Sequence, residues 1–143
     1  MILPDANLLL YAVNTDSHDH SRALEWWQTL IESGAAVGLY TGVIFAFVRL
    51  SSNRRVFKRP LTTQEAFAYV HNWLAFTAVS LIDAELEDIA TAEALLTVAG
   101  TAANLVSDAQ IAAAALRLNG TVHSADADFG RFPKVKWVNP LGA

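Results

Sequence analysis

The side chains best placed for chemistry are carboxylates at the ends of apolar stretches. In Leu105-Val106-Ser107-Asp108-Ala109-Gln110-Ile111-Ala112-Ala113-Ala114, an acid opens a strongly apolar segment. Ala109, Ala112, Ala113 and Leu116 repeat at the spacing of one helix face, and Ser107 or Asn104 is placed to cap it. A first-turn acid is often only a partner of the helix dipole. Two further acid sites give Asp108 another meaning. Asp5 follows Ile2-Leu3-Pro4, and Asp126 with Asp128 follows Thr121-Val122-His123-Ser124. Three carboxylate sites at strand or helix ends, far apart in sequence, are expected to converge into one acidic pocket. Carboxylates held within a few ångströms raise one another's pKa, and a divalent cation relieves that repulsion. All-oxygen sites suit Mg²⁺ or Mn²⁺, which activate water and stabilise a leaving oxygen in phosphodiester hydrolysis. The chain has no cysteine, no Gly-x-Ser-x-Gly and no P-loop to offer a competing nucleophile or phosphate cradle. Its four histidines (His18, His20, His71, His123) have no metal-ligand spacing with a carboxylate partner.

The elements that must position these acids alternate. Short strands are expected at 1–4, 37–40, 79–82, 121–124 and 136–138. Helices are expected at 8–13 (capped by Asn7), 20–32, 43–50, 64–76, 83–99 and from Asp108 to about Asn119, with Gly120 as the terminating residue. The 83–99 helix should bury Leu86, Ile89, Leu95 and Leu96 and turn its acids to solvent. Alternation of this kind predicts an α/β fold with a mostly parallel sheet of four to five strands, helices covering both faces. Functional loops of such a sheet lie at the carboxyl ends of its strands, where Asp5 and the Asp126-Asp128 pair sit.

A length of 143 residues fits one domain spanning 1–143, and 53% apolar with 17% charged residues is a globular composition. Absence of cysteine fits a reducing compartment, so the cytoplasm is the expected location. Neither a signal peptide nor a membrane span is expected. The net charge is −4, yet five of ten basic residues fall between Arg49 and Arg59, and three more are Arg131, Lys134 and Lys136. Concentrated cations of this sort attract phosphates. Arg54, Arg55, Lys58 and Arg59 are candidate RNA-backbone contacts.

Taken in order, these segments resemble the PIN-domain nucleases, and more closely the VapC-type toxins of toxin–antitoxin pairs. The resemblance rests on Asp5 after the first strand, on Asn104-Leu105-Val106-Ser107-Asp108-Ala109, and on Ser124-Ala125-Asp126-Ala127-Asp128-Phe129. It extends to Arg49-Leu50-Ser51-Ser52-Asn53-Arg54-Arg55-Val56-Phe57, to Pro60-Leu61-Thr62, to Phe129-Gly130-Arg131-Phe132 and to Trp137-Val138-Asn139-Pro140-Leu141. It implies a three-layer PIN-like α/β/α fold and a Mg²⁺- or Mn²⁺-dependent endoribonuclease. Asp5, Asp108 and Asp126 map onto the metal-site acids. Asp128 maps onto a further catalytic acid, and Ser124 onto the hydroxyl residue before that pair. The implied partners are RNA, a VapB-type antitoxin and a second copy of the chain. Arg49, with Arg54 and Arg55, is a candidate phosphate contact. One departure stands out. Many relatives carry Glu-x-x-Arg on the helix after the second strand, and here the register reads Ala46-Phe47-Val48-Arg49. Either Asp128 supplies that charge, or metal binding is weaker, or the domain binds RNA or an antitoxin without cutting. Aspartyl-phosphate chemistry, raised by Asp126-x-Asp128, ranks last because position 7 is Asn.

Overall fold

The computed structural model describes residues 1–142. Five strands form one sheet in the order β3-β2-β1-β4-β5: β1 (Ile2–Pro4), β2 (Val37–Tyr40), β3 (Val79–Ile82), β4 (Thr121–His123) and β5 (Lys136–Val138). Every pairing is parallel, with Ile2 opposite both Val37 and Thr121, and Pro4 opposite His123. Between the strands run α1 (Ala6–Val13), α2 (His20–Glu32), α3 (Thr41–Ser51), α4 (Thr63–Ala75), α5 (Leu86–Ala99) and α6 (Val106–Arg117). The first two crossovers step along the sheet in one direction, and the third returns across it from β3 to β4. Right-handed crossovers therefore put α5 and α6 on the face opposite α1–α4. The result is the expected α/β/α sandwich, with the order of strands reversing between β1 and β4. That reversal opens a crevice at their carboxyl ends.

Leu3, Leu8, Leu9, Val37, Leu39, Phe47, Val122 and Phe129 are fully buried along the sheet and its covering helices. Aromatic rings join α2, α3 and α4: Trp73 meets Phe47 at 4.7 Å and Trp27 at 5.7 Å, both edge-on.

Local details differ from expectation at four helix ends. Asp5 caps α1, its Oδ1 accepting from Ala6 N at 2.8 Å, and Asn7 lies inside the helix. No side chain caps α6; a 3-10 turn at Ala103–Leu105 feeds the chain into it instead. That helix stops at Arg117, and Asn119 (φ 51°) takes the left-handed turn assigned above to Gly120. Helix α5 starts three residues late because Glu85 and Asp88 close a capping box at Leu86.

Gly120 serves close approach. A Cβ there would stand 2.6 Å from Leu3 Cδ1 and 2.9 Å from the Met1 carbonyl oxygen, which already accepts from Thr121 N. Gly120→Ala is expected to cost about 2 kcal/mol by forcing β1 and β4 apart. A urea midpoint equal to wild type would contradict this.

Candidate metal centre

Asp5 and Ser124 are neighbours because β1 and β4 pair directly: Asp5 N donates to the His123 carbonyl at 2.8 Å. Asp5 Oδ2 accepts from the Ser124 hydroxyl at 2.7 Å. Beyond Ser124 the chain folds into a 3-10 turn, Ala127–Arg131, capped by Asp126, whose Oδ1 accepts from Asp128 N at 2.9 Å. This turn points Asp126 and Asp128 back over the ends of β1 and β4. Helix α6 runs antiparallel to the strands, so its first turn brings Asp108 to the same edge.

Carboxylate oxygens of Asp108, Asp126 and Asp128 all lie within 4.8 Å of one another. Asp108 is buried and the other two are half-buried. Asp5 stands beside this group rather than within it, with its oxygens engaged by Ala6 N and Ser124. The charges are strongly coupled. Burial first, then the charges of Asp5, Asp126 and Asp128, push the Asp108 carboxyl up to about 7. Burial also raises Asp5, against the bonds from Ser124 and Ala6, with Asp126 adding to the rise. Both rises come first from burial, and the neighbouring acids add to them.

The donor set fits a hard divalent cation. It is all oxygen, uncompensated within the cluster and open on one side to solvent. A cation stands nearby: an Arg131 nitrogen lies 4.0 Å from Asp128, while another of its nitrogens is bound to the Ala99 carbonyl.

Ala46, in the register where an acid was anticipated, lines a narrow cavity of about 70 Å³ with Asp5, Tyr40, Gly42, Ser107 and Gln110. Arg49 lies one turn further along α3 on the same face and is exposed. Arg54 and Arg55 are exposed in the turn after α3, which Phe57 anchors in the core. Arg59 is differently placed, since its guanidinium pairs with Asp16 at 3.1 Å and bonds Thr15. His123, beside the site, has Nδ1 bonded to Trp26 Nε1 at 3.0 Å, and burial lowers its pKa.

A side chain that spacing did not single out is Asn7, read as a cap. Its Nδ2 donates to Ser124 Oγ at 3.2 Å and its Oδ1 accepts from Ala125 N at 3.4 Å. An Asn inside an apolar helix, where it is disfavoured, was the available signal.

Comparison with known proteins gives the family. A PIN-domain family model matches residues 2–135. Ribonuclease VapC33 of Mycobacterium tuberculosis is 42% identical over 141 residues, which cover 99% of each chain. The chain belongs to the PIN-domain family, in its VapC group. Solved structures that carry the VapC name share its fold. Mycobacterium tuberculosis VapC20, described as a sarcin-ricin loop cleaving toxin, superposes with a TM-score of 0.69 at 17% identity, covering 95% of this chain and 99% of that one. VapBC2 from Rickettsia felis, solved with a DNA fragment from its promoter, superposes at 0.68 with 18% identity, covering 96% and 98%. No helix of this PIN domain is long and apolar enough, among the described residues, to cross a membrane.

Proposed function

We propose that this PIN domain is a Mg²⁺- or Mn²⁺-dependent endoribonuclease acting as the toxin of a toxin–antitoxin pair. The observation that carries the reading is the meeting of Asp108, Asp126 and Asp128 beside Asp5, at the edge where the sheet reverses. The 42% identity to a protein named Ribonuclease VapC33 supports RNA as the substrate. Asp108, Asp126 and Asp128 would hold the ion, and Asp5 would complete the charge around it. When bound, the ion supplies an activated water and balances charge on the leaving oxygen. The protein's own part is to hold the carboxylates at fixed spacing and to dock the RNA backbone. Exposed Arg49, Arg54, Arg55 and Lys58 are the docking cations, whereas Arg59 is already committed to Asp16. In this reading Asp128 would supply the charge absent at Ala46, and its place beside Asp108 and Asp126 supports that.

Two partners belong to this reading. A VapB-type antitoxin would cover the site; the Rickettsia felis relative is a VapBC assembly. A second copy of the chain would cover apolar side chains left in solvent: Leu86 is 91% exposed, Ile89 68%, Val98 66%, Leu81 58% and Phe45 57%. Leu81 lies on the unpaired edge of β3.

The test is incubation of total RNA with antitoxin-free protein in Mg²⁺, in Mn²⁺ and in EDTA. Cleavage in either metal and none in EDTA is expected. Folded protein that cuts nothing and binds no metal would overturn the reading and leave a binding module that does not cut.

A further inference from the structure

We infer that Asn7 is a positioning residue for the acidic centre, acting through the Ser124 hydroxyl. Ser124 is completely buried. A serine hydroxyl has one proton to give and two lone pairs to receive with. Here Asn7 Nδ2 (3.2 Å) and Asp126 N (3.0 Å) fill the acceptor positions, so the proton is committed to Asp5 Oδ2 at 2.7 Å. With all three positions used, Ser124 is neither a nucleophile nor an ion ligand. It orients Asp5. Asn7 does more than fill a lone pair, since its Oδ1 accepts from Ala125 N and so ties α1 to the loop that carries Asp126 and Asp128. One amide thus sets the proton on one acid and the position of two others. Groups standing behind ligands in this way typically change metal affinity by about ten- to a hundredfold.

This rests on the metal-site reading above, and the experiment separates the two. Mn²⁺ is titrated calorimetrically, without RNA, into wild type, Asn7→Ala, Ser124→Ala and the double variant, with thermal melts to establish folding. Asn7→Ala and Ser124→Ala should each weaken Mn²⁺ binding by about tenfold, and the double variant should lose less than the two single losses multiplied. If Asn7→Ala melts as unfolded protein, Asn7→Asp takes its place. It keeps the shape but can only accept, drawing the Ser124 proton from Asp5, so it too should weaken binding despite its added charge. Wild-type affinity in the Asn7 variant, tighter binding by Asn7→Asp, or losses that multiply in the double variant would each overturn the proposal while leaving the metal site standing. Absence of Mn²⁺ binding by the wild type would overturn both.

Discussion

An Asp108→Asn protein is expected to lose RNA cleavage by about a thousandfold, the scale of losing one group that stabilises charge in the transition state, and yet to melt above the wild type near pH 8 in the absence of metal. Both effects have one cause. Asp108 is buried at the head of α6 with three acids around it, and its carboxyl is pushed from 3.8 up to about 7. Between those two values the folded protein retains a proton that the unfolded chain has released. Metal-free stability is therefore full below about pH 4 and falls as pH rises towards about 7, where Asp108 ionises in the fold. A difference of that size corresponds to at most ~4 kcal/mol, and solvent reaching Asp126 and Asp128 reduces the expected loss to about 2 kcal/mol. Asparagine has no proton to lose there, so from about pH 4 to about pH 8 the variant's melting temperature should fall less than the wild type's, the raised Asp5 carboxyl leaving a smaller decline. Adding Mg²⁺ should raise the wild-type melting temperature more at the upper pH, and the variant's hardly at all. A variant that melts below wild type at the upper pH would show that repulsion at Asp108 is not what stresses this site.

Asp108 could be found from sequence because its evidence is local: an acid, an apolar helix face and the fold class that places a helix start beside strand ends. The alternation of strands and helices was legible for the same reason, since each element carries its own period. Pairings over long separations were not. Ser124 and Asp5 are 119 residues apart, and only the adjacency of β1 and β4 brings them together. Helix α5 shows the same limit. Its apolar spacing placed Leu86 and Ile89 in the core, but the helix packs on α6 through Leu95 with help from Ala92 and Leu96, leaving the other two in solvent. Its acids lie on the face that the spacing turns to solvent, but Asp88 is buried, because Arg117 arrives from the far end of α6 to neutralise it. Capping went astray where two cap-forming residues compete. Asp5 and Asn7 both favour a helix start, and the strand ending at Pro4 leaves the position to Asp5.

That Asp88–Arg117 contact carries a large stability effect of its own. Arg117 Nε and Nη2 donate to Asp88 at 3.0 to 3.2 Å, and Nη2 also reaches the Asp83 carbonyl at 2.9 Å. Asp88 is only 5% exposed, and its Oδ2 accepts from Glu85 N to complete the cap of α5. The guanidinium thus joins the end of α6, the start of α5 and the segment leaving β3. Removing it strands a buried carboxylate. Arg117→Ala is expected to cost about 3 kcal/mol and to lower the melting temperature by roughly 10 °C. Attraction alone does not set this cost, since most of it is the penalty on the abandoned acid. A compensated pair of changes, Asp88→Leu with Arg117→Met, should therefore recover most of the loss. Failure of that double variant to melt above Arg117→Ala would assign the cost to the lost carbonyl bond and cap instead. Because Arg117 sits at the opposite end of α6 from Asp108, metal-loaded Arg117→Ala should still cut RNA below its melting transition. Its signature is the reverse of the Asp108→Asn one, stability lost with chemistry kept, and that opposition distinguishes damage to the scaffold from damage to the site.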